Sequence, residues 1–269
     1  MLSADGAFSL EPAELAPSDL LELAHDRAYV ARFLHGTLDP ALMRRIGFPW
    51  SLELTRRTLA SVGGTIAASD DALRTGLGGN LAGGTHHAFR DQGAGFCVFN
   101  DIAVAILTLR RSGRVRRAAI VDLDVHQGDG TAAIFRDDPD VLTLSIHGRN
   151  NFPFRKQQSS IDVDLPDGVG DFEYLAAVEQ GLPRVFAFAP EIIFYQSGVD
   201  AMAGDRLGRL SLTMDGLKQR DRLVLESCHA HRVPVAITLG GGYAEPIERT
   251  AEAHANTFRI ASAIYSKVK

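Results

Sequence analysis

The sequence is short of cysteine: Cys97 and Cys228 are the only two in 269 residues. Two thiols cannot build a disulfide framework or a cysteine-rich zinc module, so the fold must rest on its own core. Positive charge is also scarce, with 28 Lys and Arg against 33 Asp and Glu, a net charge of −5 and no block of five or more like charges. A general nucleic-acid binder would carry a basic excess. No apolar run approaches the ~20 residues of a membrane span. The N-terminus lacks the basic and apolar regions of a secretory signal. No internal repeat, low-complexity tract or linker divides the sequence. At 45% apolar residues it has enough hydrophobic material for one large core. A cytoplasmic, globular, enzyme-sized domain is expected.

Periodicity predicts a helix from about Ser18 to Leu34, capped by Ser18. A second runs from Ser51 to Leu73; Gly63-Gly64 inside it would cost stability unless another backbone packs closely there. Further helices are expected at Asn100–Arg111, Phe172–Phe186, Leu217–His231 and from about Glu245. Four short, nearly continuous apolar strands lie between them, at Ala118–Val125, Val141–Ile146, Glu191–Gln196 and Val235–Leu239. Strands alternating with helices imply a single α/β domain with a central, mostly parallel β-sheet covered by helices on both faces.

In such sheets ligands bind beyond the carboxyl ends of the strands, and here every strand end carries unusual chemistry. The first runs into Asp122-Leu-Asp124-Val-His126-Gln-Gly-Asp129, the second ends Ser145-Ile146-His147, the third Gln196-Ser-Gly-Val-Asp200 and the fourth Gly240-Gly-Gly-Tyr243. Residues i and i+2 of a strand project from one side, so Asp124 and His126 can grip one ion, with Asp200 closing a three-ligand site. Two carboxylates, one imidazole and open positions suit a catalytic Zn²⁺ or Fe²⁺. The competing account is an ordinary solvated strand end with caps. Asp122 and Asp129 weigh against it, because unpaired buried carboxylates are costly.

His86-His87 lies in a glycine-rich segment and could be two satisfied surface residues. With Asp122 and Asp129 to spare, each imidazole can instead be oriented by its own acid, as a general base beside a metal-bound water requires. Tyr243, after three glycines, has backbone freedom to bring its hydroxyl to a developing oxyanion. A dinucleotide loop is the weaker account of those glycines, since the first strand lacks G-x-G-x-x-G. Cys97 is expected to be a small buried residue lining a cavity rather than a nucleophile. His25, His35, His229, His231 and His254 fall on helical stretches and read as structural or solvent-facing.

Gly83-Gly-Thr-His-His-Ala88, Gly95-Phe-Cys-Val-Phe-Asn-Asp-Ile-Ala-Val104 and Asp122-Leu-Asp-Val-His-Gln-Gly-Asp-Gly-Thr131 resemble the histone deacetylase family. So do Tyr195–Asp200, Gly204-Asp-Arg-Leu-Gly208 and Leu239–Tyr243, all in the family's order over roughly residues 19 to 265. Gly47-Phe-Pro-Trp50 and Asn151-Phe-Pro-Phe154 look most like the class IV branch and its bacterial relatives. The resemblance implies the arginase/deacetylase fold and a zinc-dependent hydrolase that removes acetyl or longer acyl groups from lysine side chains. It implies Asp124, His126 and Asp200 as metal ligands. His87, paired with Asp129, would be general base and then acid; His86, paired with Asp122, would be its electrostatic partner. Tyr243 would be the oxyanion donor. Gly95, Phe96 and Phe152 would wall the acyl-lysine channel, and a structural K⁺ would sit at Asp122, Asp124, His126, Ser145 and Ile146. Taken singly, Phe96 and Phe152 read as ordinary core residues; their motif context promotes them.

Three alternatives stand beside this reading. An arginase-like binuclear site lacks the additional late Asp-x-Asp, since only Asp200 is offered. An acetylpolyamine or other small-amine amidohydrolase is a closer rival, which an acidic rim would favour. A silent acyl-lysine binder would be expected to have lost a ligand, a His or the Tyr. The expected partner is therefore an acyl-lysine protein or peptide, with no nucleic acid and no membrane span. The domain is expected to occupy residues 1–269 without the N-terminal strand and His-x-Phe-Pro-type segment with which relatives usually begin.

Overall fold

A computed structural model describes residues 1–266, and residues 267–269 of the expected domain lie outside them. Six parallel strands form the sheet in the order β1-β6-β5-β2-β3-β4. They are β1 Leu77–Gly79, β2 Ala118–Asp122, β3 Val141–Gly148, β4 Ile161–Leu165, β5 Ile192–Gln196 and β6 Val235–Thr238. The strands β2, β3, β5 and β6 are buried along their whole length, as expected of parallel strands covered on both faces. Successive residues take opposite faces. Ala119 and Val121 pack into one hydrophobic cluster and Ala118 and Ile120 into the other.

The first cluster is covered by α7 (Asp171–Ala187), α8 (Met214–His231) and α9 (Ile247–Tyr265). The second is covered by α1 (Ser18–Ala24), α2 (Arg27–Leu34), α4 (Leu52–Thr75) and α5 (Asp101–Arg111). Two short helices, α3 (Pro40–Ile46) and α6 (Asp129–Phe135), add Ile46, Ile134 and Phe135 to the second cluster. No helix among the described residues is long and apolar enough to cross a membrane.

Several boundaries differ from the sequence reading, each for a local reason. The helix expected over Ser18–Leu34 is two, because His25 is extended (φ −124°, ψ 151°) and the Asp26 amide donates to Arg90 O at 2.7 Å. Pro17, not Ser18, holds the cap position. Ser51 does cap α4, accepting from the Leu54 amide at 3.0 Å. The Gly63 expectation also holds: a Cβ there would stand 1.9 Å from Glu14 O. β1 was invisible because Leu-Gly-Gly has no apolar run. β4 was missed because Ile-Asp-Val-Asp-Leu alternates, as an edge strand open on one side does. The last helix starts at Ile247, after Pro246.

The chain order of the strands positions the site. From β2 the chain moves to β3 and β4 on one side; β5 and β6 lie on the other. The switch of direction therefore falls between the paired neighbours β2 and β5, where Asp122 faces Gln196 in register. That is where an open parallel sheet leaves its binding crevice, and Asp124, His126 and Asp200 follow those two strands.

Candidate active site

Asp124 and His126 stand in the loop after β2 rather than on the strand, which stops at Asp122. Strand alternation therefore does not align them. Two successive turns do, in which Asp122 Oδ1 accepts from the Asp124 amide at 3.2 Å and Asp124 Oδ1 from the His126 amide at 2.9 Å. Such i-to-i+2 bonds are the usual way an Asp bends its own backbone. Across the crevice, Asp200 Oδ1 accepts from the Val125 amide at 2.9 Å. The result brings ligand atoms of Asp124, His126 and Asp200 within 4.8 Å of one another, all three residues being buried. Among the described residues this is the one such cluster.

The cluster fits a divalent cation on its own chemistry. Nδ1 of His126 lies 3.0 Å from Asp124 Oδ1 and 3.1 Å from Asp200 Oδ2. Burial opposes a charge on that ring, yet the two carboxylates outweigh it and lift its pKa to about 10. Asp200 is raised by burial and by the negative charge of Asp124. A proton on His126 thus sits between two carboxylates that would otherwise repel, and a metal ion would serve the same place with more charge.

Beside the cluster stand two histidine–carboxylate pairs with opposite electrostatics. His86 Nδ1 lies 2.7 Å from Asp122 Oδ2, and His87 Nδ1 lies 2.7 Å from Asp129 Oδ1, all four groups being buried. The rings are 4.1 Å apart, too close for both to be charged. Burial opposes the imidazolium of His86, but Asp122 and Asp124 together overcome it and raise the pKa to about 9. His87 is lowered to about 4 by burial and then by the charge on His86, against the pull of Asp129. These opposite shifts favour the charged form of His86 and the neutral form of His87, whose Nε2 could then accept a proton.

Both histidines, Asp124, His126, Gly95, Phe96, Phe152 and Tyr243 line one cleft of about 780 Å³. The Phe152 ring meets His87 edge-on at 4.9 Å, and Phe96 lies 6.3 Å from the Tyr243 ring. Phe96 and Phe152 are 44% and 36% exposed, so they are cleft walls rather than core residues. A Cβ on Gly95 would stand 2.7 Å from His87 Cδ2. Burial pushes the Tyr243 phenol well above its ordinary pKa, which keeps its proton available. Of the three glycines before it, Gly240 uses the freedom the sequence suggested, at φ +77°, and Gly241 allows a close approach. Gly241 lets its amide donate to Asp124 Oδ2 at 2.6 Å, where a Cβ would stand 1.9 Å from Asp200 Oδ2. Cys97 also lines the cleft, and burial pushes its thiol far up, out of the nucleophile range. Asp122, the last residue of β2, and Ser145, within β3, are buried register partners, with Ile146 next along β3. His25 is buried, while His35 and His231 face solvent.

Two supports of the site escaped the sequence reading. Asp101, in the first turn of α5, accepts from the Gly84 and Thr85 amides at 3.0 and 2.7 Å and from the Thr65 hydroxyl at 2.5 Å. It fixes the segment that carries both histidines. Arg220 is fully buried in α8 and donates to the carbonyls of Gly198 at 2.5 Å and Ser197 at 3.3 Å, its charge matched by Asp221 at 2.7 Å. Those carbonyls precede Asp200. A signal for Arg220 existed: Leu217, Arg220, Asp221, Val224, Leu225 and Cys228 share the buried stripe of α8, and an ion pair on an apolar stripe must be satisfied inside.

A model of the histone deacetylase domain matches residues 2–259. An uncharacterised protein of Picosynechococcus sp. is 46% identical over 269 residues, covering 98% of this chain and 90% of its own. Histone deacetylase 2 of Arabidopsis thaliana is 35% identical over 68% of this chain and 48% of its own. A histone deacetylase-like amidohydrolase of Pseudomonas aeruginosa is 34% identical over 73% of this chain and 55% of its own. The chain thus spans nearly all of its cyanobacterial relative and about half of the two named enzymes. By the domain match over nearly the whole chain, it belongs to the histone deacetylase family of hydrolytic enzymes.

Proposed function

We propose that the chain is a lysine deacylase, hydrolysing the amide of acetyl- or longer acyl-lysine side chains on proteins or peptides, in the manner of the class IV branch. The observation that carries this is the geometry: two buried histidine–carboxylate pairs, His86–Asp122 and His87–Asp129, stand beside the cluster of Asp124, His126 and Asp200. Zinc is the favoured ion for two carboxylates and an imidazole, and Fe²⁺ fits the same donors. When bound, the ion would polarise the acyl carbonyl and lower the pKa of a water toward ~7. A K⁺ at Asp122, Asp124, His126, Ser145 and Ile146 would be structural. Two buried free thiols suit a cytoplasmic setting.

In this reading His87 takes the proton of the attacking water through Nε2, with Asp129 holding the ring from behind. Tyr243 donates its hydroxyl proton in a hydrogen bond to the oxygen that gains charge as the carbon becomes tetrahedral. When the C–N bond breaks, His87 returns the proton to the departing lysine nitrogen, and the acyl group leaves as a carboxylate. Phe96 and Phe152 hold the alkyl chain and exclude water. Arginines at the mouth weigh against a cationic acetylpolyamine. The test is the rate of acyl release from acetyl-, octanoyl- and myristoyl-lysine peptides by the zinc-reconstituted protein and its Tyr243→Phe variant. Loss of that donor is expected to lower kcat ~10²–10³-fold with metal content near one equivalent. Wild-type turnover in the variant overturns the assigned chemistry.

A further inference from the structure

The cleft is sharply divided in charge between its floor and its mouth. One carboxylate, Asp124, lines the floor, whereas five arginines line the mouth: Arg44, Arg45, Arg57, Arg206 and Arg209. They come from three elements, namely the last turn of α3, the start of α4 and the loop between β5 and α8. On the loop side the charge is matched, since Arg206 pairs with Glu245 at 2.6 Å and Arg209 with Asp167 at 3.3 Å. The helical side is different. Arg45 donates to the neutral Gln92 at 2.6 Å, and Arg57 lies over the Phe48 ring at 5.2 Å. Among the described residues none of Arg44, Arg45 and Arg57 makes an ion pair, and all three are exposed. A chain of net charge −5 therefore keeps three uncompensated arginines on one wall of the opening.

An acyl-lysine amide is neutral, so this wall does not act on the group that reacts. It acts on what surrounds the lysine. A peptide crossing the mouth in extended form advances ~3.3 Å per residue, which keeps the neighbours on either side of the acylated lysine within about one Debye length of the arginines. All five mouth cations are arginine and none is lysine, the choice suited to two-pronged carboxylate contacts. We propose, resting on the deacylase reading above, that Arg44, Arg45 and Arg57 select acyl-lysines carried on acidic peptide segments, with Asp or Glu within about three residues of the lysine, and disfavour basic tails.

Three acetyl-lysine peptides of equal length test this, with flanks of Glu, Ser-Gly or Arg, followed by turnover and by fluorescence-anisotropy binding. The acidic peptide is expected to exceed the neutral one on the order of tenfold in kcat/KM, and the basic one to fall below it. The ranking should collapse between ~0.02 and ~0.5 M salt as the screening length shrinks. The double variant Arg44→Glu/Arg57→Glu should reverse the order of the acidic and basic peptides. Equal use of all three peptides, preference for the basic one, or a ranking indifferent to salt overturns the inference; because the salt series uses the wild-type protein, a misfolded variant does not rescue it. If no peptide is turned over but the acidic one still binds most tightly, the mouth stands and the deacylase reading falls. No turnover and no difference in binding overturns both.

Discussion

At the floor of the cleft the working groups are buried and held by fixed partners. His86 and His87 each lie 2.7 Å from a carboxylate, and Asp124 accepts from the amides of His126 and Gly241. At the mouth the groups are exposed, drawn from separate elements, and on the α3–α4 wall without an ion partner among the described residues. Burial explains the contrast. A charge removed from water must be matched at once, so the floor cannot be assembled loosely. A charge in water costs little to leave unmatched, so the mouth is free to differ without loss of stability. The floor is therefore where substitution should cost orders of magnitude, and the mouth where it should redirect choice.

The sharpest way to break that comparison is His87→Ala. Removing the neutral base is expected to lower kcat ~10²–10⁴-fold, against about tenfold for the mouth arginines, while zinc content by atomic spectroscopy stays near one equivalent. A His87→Ala enzyme within tenfold of wild type would place the proton transfer elsewhere. The floor should also fail from behind. Arg220 never reaches the cleft, yet it holds the carbonyls that precede Asp200. Arg220→Met leaves Asp221 as an uncompensated buried charge, and urea denaturation should show a loss of about 3–5 kcal/mol. Unchanged stability would mean that the buried pair is dispensable.

The same contrast decides how much was legible in the sequence. The floor is written in short contiguous stretches, because strand ends deliver Asp122 to Asp129, Gln196 to Asp200 and Gly240 to Tyr243 directly to the switch point. The nearly continuous apolar character of the four central strands likewise gave the α/β class. The mouth could not be read. Arg44, Arg57 and Arg206 are far apart in sequence, each looks like a solvated helix or loop residue, and only tertiary packing brings them to one opening. β4 was lost for a related reason, since its alternation follows from lying at the edge. The geometry at Asp124 and His126 was anticipated for the wrong reason, as Asp-centred turns rather than strand pleating align them.

A smaller effect comes from His25, which braces the floor from the α1–α2 corner. Its Nδ1 donates to Phe89 O at 2.8 Å, and its Nε2 accepts from the Asn100 amide at 2.9 Å. The second bond requires the neutral ring, and burial lowers its pKa from 6.5 to about 4. Between those values the unfolded chain binds the proton and the folded one does not. Stability from the neutral ring is thus complete above pH ~6.5 and is lost as pH falls toward ~4, by about 3 kcal/mol. His25→Phe keeps the ring between Tyr29 and Phe99 and should be less stable at pH 7 but with a shallower acid slope. An equal slope in both proteins would assign the acid sensitivity to other groups.

The smallest effect tests whether the mouth wall can be disturbed without touching the floor. Ser51 caps α4 through the Leu54 amide, and Arg57 stands within the first two turns of that helix. Ser51→Ala removes one satisfied amide at the helix start and is expected to cost about 1 kcal/mol by urea denaturation. Fraying there loosens Arg57 against Phe48 but leaves His86, His87 and the cation ligands, which follow other elements, in place. Turnover of a neutral acetyl-lysine peptide should therefore hold while the acidic-to-neutral ratio falls by less than the Arg44→Glu/Arg57→Glu variant produces. A matching loss on both peptides would mean that the mouth and floor are mechanically one unit, since the cap would then be positioning the catalytic groups as well as the arginine.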